Sequence, residues 1–139
     1  MKFKRLLLIS LLGAYALGAQ KIEIVNQRAK QGDAKAQTKL GEAYATGDSV
    51  PQNFIEAMKW FRLAAGQGYA EAQYNLGSFY INGEALEPDY VIAYMWFTLS
   101  ARQDNLGAAE NLKYIKKHMT ADQISQGEKL VLEWKPNKK

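Results

Sequence analysis

The sequence predicts an all-α protein whose helical hairpins stack into a solenoid, and an internal repeat is the main reason. The repeat has an offset of 36 residues, the separation of Ala34 from Ala70. In its first half, Ala34, Ala36, Gln37, Leu40, Gly41, Tyr44 and Gly47 recur as Ala70, Ala72, Gln73, Leu76, Gly77, Tyr80 and Gly83. In its second half, Ala57, Trp60, Phe61, Ala65 and Gln67 recur as Ala93, Trp96, Phe97, Ala101 and Gln103. Periods of this length are typical of helical-hairpin solenoids.

Each unit is predicted to hold two amphipathic helices. Ala36, Leu40 and Tyr44 are spaced by four residues, and Ala57 and Phe61 repeat that spacing in the second half. Ordering the backbone costs roughly 1 to 2 kcal/mol per residue, whereas a buried large apolar side chain returns only about 1.5 to 3 kcal/mol. One hairpin therefore cannot fold alone, and we expect neighbouring hairpins to bury one another's apolar faces.

The turn between the two helices has its own signature. Gly47 and Gly83 can end the first helix in a left-handed conformation. Asn53 and Asp89 are predicted to cap the second helix. Asn53 and Glu56 together form a capping-box pattern.

The repeat extends in both directions beyond the full units. A half unit precedes them, because Ala29 matches Ala65, and a partial unit follows them, because Leu112 matches Leu76. The predicted repeat region covers 19–119, with a half unit at 21–33, full units at 34–69 and 70–105, and a partial unit at 106–119.

A capping helix is predicted to close the solenoid over 120–134. Thr120 and Gln123 form a capping-box pattern at its start. Its apolar residues, which we expect to cover the last hairpin, are Ile124, Leu130, Val131 and Trp134. Residues 135–139 are predicted to be a disordered tail.

The first 18 residues have the pattern of a signal peptide. Lys2, Lys4 and Arg5 precede an apolar run that ends at Leu17, and small residues lie at a cleavage site after Gly18. The apolar run is shorter than the roughly 20 residues that a membrane-spanning helix needs. We therefore expect a cleavable leader, a periplasmic or secreted protein, and no stable membrane anchor after cleavage. Retention of the leader as a permanent anchor is the alternative.

Composition excludes several kinds of site. The chain has no cysteine and a single histidine, His118, so it offers no disulfide, no thiolate ligand and no site that needs two imidazoles. We predict no catalytic residues, no metal and no cofactor, and any catalysis would have to depend on carboxylates. Without the three basic residues of the leader, 18 basic side chains become 15 against 14 acidic ones, which gives no reason to expect nucleic acid as a partner.

The second unit carries the motif of a known family. Residues 70–77, with Tyr80, Gly83, Ala93, Trp96 and Ala101 after them, resemble the Sel-one-like (Sel1-like) repeat, and the resemblance covers about residues 24–117. It implies a right-handed α-α superhelix related to tetratricopeptide repeats, acting as an adaptor or scaffold for proteins. Bacterial members of the family are often exported.

The sequence departs from the family pattern at several turns. Ser49 and Ala85 replace the second glycine of the hairpin turn, and Asn53 replaces the usual aspartate. Arg102 and Asp104 take the places of Gly66 and Gly68 in the preceding unit.

By analogy with tetratricopeptide repeats, the first helix of each hairpin lines the concave face and contacts the partner. The predicted contact residues are Thr38, Glu42, Tyr74, Ser78, Ile81, Glu110 and Tyr114. Tyr74 and Tyr114 are the expected anchors, since tyrosine offers a large contact area with one polar group. A purely structural role for Tyr74, packing against the next hairpin, is the alternative. Trp60 and Trp96 recur at one repeat position and are predicted to pack in the core.

These observations predict a non-enzymatic, exported interaction module that binds a protein or peptide of unknown identity. One alternative is a periplasmic immunity protein that neutralises a toxic effector, a role that some exported members of the family play. A second alternative is a β-lactam or cell-wall hydrolase, because disulfide-rich family members have been linked to β-lactams. This chain lacks their cysteines.

Overall fold

The computed structural model describes residues 2–83 and 87–137, with side chains from residue 7 onward. The regular secondary structure in this part of the chain is entirely α-helical. Ala85 and the last two residues of the predicted tail lie outside the described residues. The helices are α1 (Lys2–Lys30), α2 (Ala34–Thr46), α3 (Phe54–Gly66), α4 (Ala70–Asn82), α5 (Tyr90–Ala101), α6 (Leu106–Lys116) and α7 (Ala121–Glu133). Consecutive helices pack on one another from α1 to α6, so the chain forms stacked helical hairpins as predicted.

The predicted leader and half unit form one continuous helix, α1. Its apolar side chains from Leu7 to Leu17 are exposed, whereas Ile22, Val25 and Ala29 in its second half pack against α2. The segment Leu7–Lys30 is long and apolar enough to cross a membrane, a property that signal sequences near an N-terminus share.

The turns within the two full hairpins are built alike. Gly47 and Gly83 end their helices at φ values of 77° and 68°, in the left-handed region. The side chain of Asp89 accepts a hydrogen bond from the backbone amide of Ile92 and so caps α5.

The predicted capping box at α3 is only half formed. Asn53 Oδ1 accepts hydrogen bonds from the backbone amides of Ile55 and Glu56. The backbone amide of Asn53 donates to the carbonyl of Tyr44 at 2.8 Å, which leaves it unavailable to Glu56. The Glu56 carboxylate pairs with Lys59 instead, at 3.3 Å.

Two positive-φ residues explain how the chain tolerates its departures from the family pattern. Ser49 and Asp104 have φ values of 63° and 62°, so each adopts the left-handed conformation that glycine would supply. Asp104 thereby reproduces the turn made by Gly32 at φ 92° and Gly68 at φ 89° in the earlier units.

Paired glutamines link the two halves of each full unit and attach the pair to the preceding unit. Gln73 Nε2 donates to the carbonyl of Ala65, and Gln103 Nε2 donates to Gln73 Oε1 at 2.9 Å. One unit earlier, Gln67 Nε2 donates to Gln37 Oε1 at 2.8 Å. Because buried amides need partners, Gln37 and Gln73 each accept from the glutamine at the end of their own unit and donate to a backbone carbonyl of the preceding unit.

The capping helix α7 packs on α5. Gly127 lies against the ring of Tyr94, and Trp134 meets Trp96 edge to face with ring centroids 6.4 Å apart. The sequence of α5 is apolar on all sides of the helix. Its contacts with α4, α6 and α7 account for this, because a helix covered on several sides is buried. Thr120 and Gln123 form a complete capping box at the start of α7.

The first residues of the predicted disordered tail return to the solenoid. The backbone amide of Asn137 donates to the carbonyl of Gly66 at 2.7 Å. This carbonyl lies at the end of α3, where helical carbonyls lack partners within their own helix. The part of the tail before residue 138 is therefore attached to the solenoid, in contrast to the prediction for 135–139.

Candidate functional site

The exposed side of the first helices of the three units is the candidate site, and we call it the A-helix face. It comprises the outward residues of α2, α4 and α6, which are Lys35, Lys39, Glu42, Glu71, Tyr74, Asn75, Ser78, Gly107, Glu110 and Tyr114. On each helix these residues lie opposite the buried positions, because the helical period separates an outward stripe from an inward one.

Neighbouring helices meet directly on this face. Asn75 Nδ2 of α4 donates to Glu42 Oε1 of α2 at 3.2 Å. The Tyr74 ring of α4 lies against Gly107 of α6, where a Cβ atom would come within 3.2 Å of a ring carbon. Successive first helices thus form one surface rather than separate ridges.

Tyr114 is the most prominent predicted anchor. Its side chain is 58% exposed, and its ring centroid lies 4.6 Å from that of His118 on the next turn. Glu110, one turn earlier on α6, is also exposed. This end of the face offers an aromatic ring and a carboxylate to solvent.

The predicted residues of α4 are partly engaged inside the protein. Tyr74 is half-buried, with its ring centroid 6.1 Å from that of Phe97, so the alternative structural role applies to part of its surface. Ser78 is half-buried and donates to the carbonyl of Tyr74 at 3.1 Å. Ile81 is half-buried and packs against the cluster around α5.

Thr38 requires a correction. It is 1% exposed, and its hydroxyl donates to the carbonyl of Ala34 at 2.8 Å, one turn earlier in α2. Its side chain therefore belongs to the interior and offers nothing to a partner, although Tyr74 at the same repeat position reaches the surface.

Glu42 carries an unusual charge environment. Burial raises the pKa of its carboxyl above the ordinary value, and the neighbouring Glu71 carboxylate raises it further. The hydrogen bond from Asn75 and the charge of Lys39 act in the opposite direction. The centre of the A-helix face therefore holds a carboxyl group whose charged form is disfavoured.

Two cavities open beside the N-terminal ends of the first helices, and they occupy the same place in successive units. One, of about 690 Å³, includes Tyr74, Asn75 and Asn105 in its wall. The other, of about 800 Å³, includes Asp33 and Asn137. Each also has a residue of a recurring glutamine pair in its wall, and Tyr69 lines both cavities.

The sequence interpretation missed Tyr69, although a signal was present. Asp33 and Asn105 cap their helices at this repeat position, whereas Tyr69 has no side-chain capping hydrogen bond. A tyrosine at a position that normally caps a helix could have marked it as a surface residue with another role. Burial is the main cause that raises the pKa of its hydroxyl, and Glu71 adds to the effect.

The described residues contain no cluster of three or more histidine, aspartate or glutamate side chains that could hold a metal ion. The A-helix face is thus a mixed surface of tyrosine, amide and charged groups. Such a surface can form hydrogen bonds and stacking contacts with a polypeptide.

Comparisons with known proteins identify related chains. The family model described as Sel1 repeat matches residues 34–69 and 70–105. The secretory immunoglobulin A-binding protein EsiB of a uropathogenic Escherichia coli strain is 40% identical over 57 residues, which cover 41% of this chain and 12% of EsiB. The chain therefore spans about an eighth of the length of that relative.

Two solved structures share the architecture. The crystal structure of c5321, a protective antigen of uropathogenic E. coli with an SLR fold, superimposes with a TM-score of 0.80 at 37% identity, covering 84% of this chain and 25% of c5321. A Sel1 repeat protein from Oxalobacter formigenes gives a TM-score of 0.58 at 34% identity, covering 59% of this chain and 63% of that protein.

Proposed function

The chain belongs to the Sel1 repeat family, and on this premise we propose that it is an exported module that binds a protein or peptide on its A-helix face. The relative EsiB is named for binding secretory immunoglobulin A, which supports a protein as the partner class. Because the chain matches only a small part of EsiB, the identity of the partner is not transferred with the resemblance.

The proposal rests on one observation: the residues that differ between units lie on the outward side of the first helices. Residues that recur between units, such as Leu76, Gly77 and Gln73, are buried in packing or hydrogen bonds. The outward positions change instead: Lys35, Glu71 and Gly107 share one repeat position, and Glu42, Ser78 and Tyr114 share another. A fold that needs only the recurring residues leaves this non-repeating surface free to recognise one partner.

Tyr114 and Tyr74 are the proposed anchors. Tyr114 is largely exposed and needs little rearrangement to contact a partner. Tyr74 is held by Phe97 and Gly107 and so presents its free edge in a fixed position. A pre-positioned aromatic side chain loses little conformational entropy when it binds, which favours affinity.

Export through a cleavable leader is the proposed route to the partner. The apolar side chains from Leu7 to Leu17 are exposed, whereas the residues that pack on α2 begin at Ile22, after the predicted cleavage site. Cleavage after Gly18 would keep those packing residues. The mass of the protein isolated from the cell envelope tests this directly, since retention of the first 18 residues would contradict it.

The binding proposal is tested by capture from envelope extract with the protein as bait. Tyr74→Ala together with Tyr114→Ala should remove most of the captured partner while the helical circular dichroism spectrum stays unchanged. The matched control is Ile55→Ala with Leu63→Ala, which truncates two exposed apolar side chains of α3, outside the A-helix face. Equal capture by the tyrosine variant and the wild type would contradict the proposal.

A further inference from the structure

The third hairpin of the solenoid is left open. In the first two units, the first helix packs on the second helix of its own hairpin, α2 on α3 and α4 on α5. In the third unit, α7 packs on α5 and has no comparable contact with α6. One side of α6 therefore lacks the helix that covers the equivalent side of α4.

Equivalent residues show how much of α6 is uncovered. In α4, Gln73 and Gly77 are buried, and Ala70 and Tyr80 are half-buried, because α5 lies over them. The residues of α6 at these repeat positions are all exposed: Leu106, Ala109, Lys113 and Lys116. Leu106 is 79% exposed, a large fraction for a leucine in a position that the fold normally covers.

The uncovered side forms a groove of about 390 Å³ with an apolar floor and a basic rim, which we call the α6 groove. Its floor is Ala101, Ala109 and Leu112, and its rim is Lys113, Lys116 and Lys117. None of the ion pairs formed by the described residues involves these three lysines. The groove thus combines uncovered apolar surface with three positive charges that have no carboxylate partner in the described part of the chain.

The sequence explains why α7 does not occupy the groove. Lys113 stands at the repeat position of Gly77, where the absence of a side chain lets the ring of Phe97 approach the helix. A lysine there blocks an apolar ring of that kind. The connection is also shorter, because only residues 117–120 separate α6 from α7, whereas residues 83–89 separate α4 from α5.

We propose that the α6 groove is a second docking site, separate from the A-helix face, for an acidic amphipathic helix of a partner protein. A helix suits the groove because the equivalent side of α4 is covered by a helix in this same fold. Acidic residues suit the rim because the lysines replace Gly77, Tyr80 and Ile81, so a helix seated here meets positive charge where α5 meets small or apolar groups. Its apolar stripe would cover Ala109 and Leu112, and its carboxylates would pair with the lysines.

The test uses the full chain and a synthetic helical peptide of about 14 residues, slightly longer than α5, with leucines along one face and glutamates beside them. Binding is followed by fluorescence anisotropy. Lys113→Glu with Lys116→Glu should weaken binding at least tenfold. The control Lys21→Glu with Lys30→Glu makes the same charge change on two exposed lysines of α1, outside the A-helix face, and should leave binding within twofold.

Further arms separate the possible occupants. A peptide with lysines in place of the glutamates should not bind, and Ala109→Arg, which fills the exposed floor of the groove, should abolish binding of the acidic peptide. Failure of the wild type to bind the acidic peptide, or equal loss in the α1 control, would overturn the proposal. Groove-dependent binding of phosphatidylglycerol vesicles or groove-dependent dimerisation, without peptide binding, would also overturn it.

Discussion

Gly77 lies against the ring of Phe97 so closely that a Cβ atom at residue 77 would come within 2.8 Å of two ring carbons. The same contact recurs one unit earlier, where a Cβ atom at Gly41 would lie 2.7 Å from a ring carbon of Phe61. Both phenylalanines are almost fully buried. The recurring glycine therefore sets how closely the two helices of each hairpin approach.

Gly77→Ala should lower the free energy of unfolding by about 1 to 3 kcal/mol, because the added methyl group overpacks the contact with Phe97. Urea unfolding followed by circular dichroism measures the change. Gly107→Ala is the matched control, since its Cβ atom would come no closer than 3.2 Å to its neighbours, the nearest being the edge of the half-buried Tyr74 ring. In a Phe97→Leu background the cost of Gly77→Ala should shrink, and an unchanged cost would exclude this contact as its cause.

Asp104→Gly should raise the free energy of unfolding by about 0.5 to 1 kcal/mol, because aspartate at φ 62° pays a conformational cost that glycine does not. Ser49→Gly, at φ 63°, should act in the same direction. The reverse change at the equivalent turn, Gly68→Ala at φ 89°, should destabilise the protein. A loss of stability in Asp104→Gly would show that the aspartate side chain stabilises the turn in another way.

Gln73→Ala should cost about 1 to 3 kcal/mol, because it removes the two hydrogen bonds that the fully buried Gln73 side chain makes with the carbonyl of Ala65 and the amide of Gln103. A double-mutant cycle of Gln73→Ala and Gln103→Ala in urea unfolding should show a coupling energy above about 0.5 kcal/mol. Additive effects would mean that the two glutamines stabilise the second unit independently of each other.

Glu42→Gln should stabilise the protein at neutral pH by about 0.5 kcal/mol. The pKa of Glu42 is raised in the folded state, so the folded protein holds this proton more tightly than the unfolded chain, and stability falls as pH rises through the raised pKa. Glutamine removes that cost and can still accept the hydrogen bond from Asn75. Unfolding curves at several pH values check this.

The gain should disappear as pH falls below the ordinary glutamate pKa of 4.5, because Glu42 is then protonated in both states. Glu110→Gln removes a carboxylate from an exposed residue of the same face and is the control for the loss of a surface charge. A stability difference between Glu42→Gln and wild type that is independent of pH would contradict the assignment.

The recurring residues made the hairpins predictable, because burial and turn geometry impose the same demands in every unit. Gly83 and Asp89, for example, act as the sequence predicts, one ending a helix and the other capping the next. The partner of Glu56 was not predictable from the sequence. Glu56 pairs with Lys59 because the carbonyl of Tyr44 already accepts the hydrogen bond of the Asn53 amide, a contact that depends on the three-dimensional position of Tyr44.

The candidate site was less predictable than the fold, because repeat position alone does not determine exposure. Thr38 and Tyr74 share a position, yet the short threonine hydroxyl bonds within its own helix while the tyrosine ring reaches across to α6. In the sequence alone, Lys113 and Lys116 are explained by their place near the C-terminus of a helix, where positive charge is favourable. Only the packing of α7 on α5 reveals that these lysines border an uncovered groove.

Site-specific photocrosslinking in cells tests the central proposal most directly. A photoreactive phenylalanine analogue at Glu110, on the exposed A-helix face, should give a discrete crosslinked protein in the envelope, and Tyr114→Ala should remove that product. The same analogue at Leu63, on the exposed surface of α3, should give none. Crosslinking to the same protein from Leu63, or a product from Glu110 that persists in Tyr114→Ala, would contradict binding through the A-helix face.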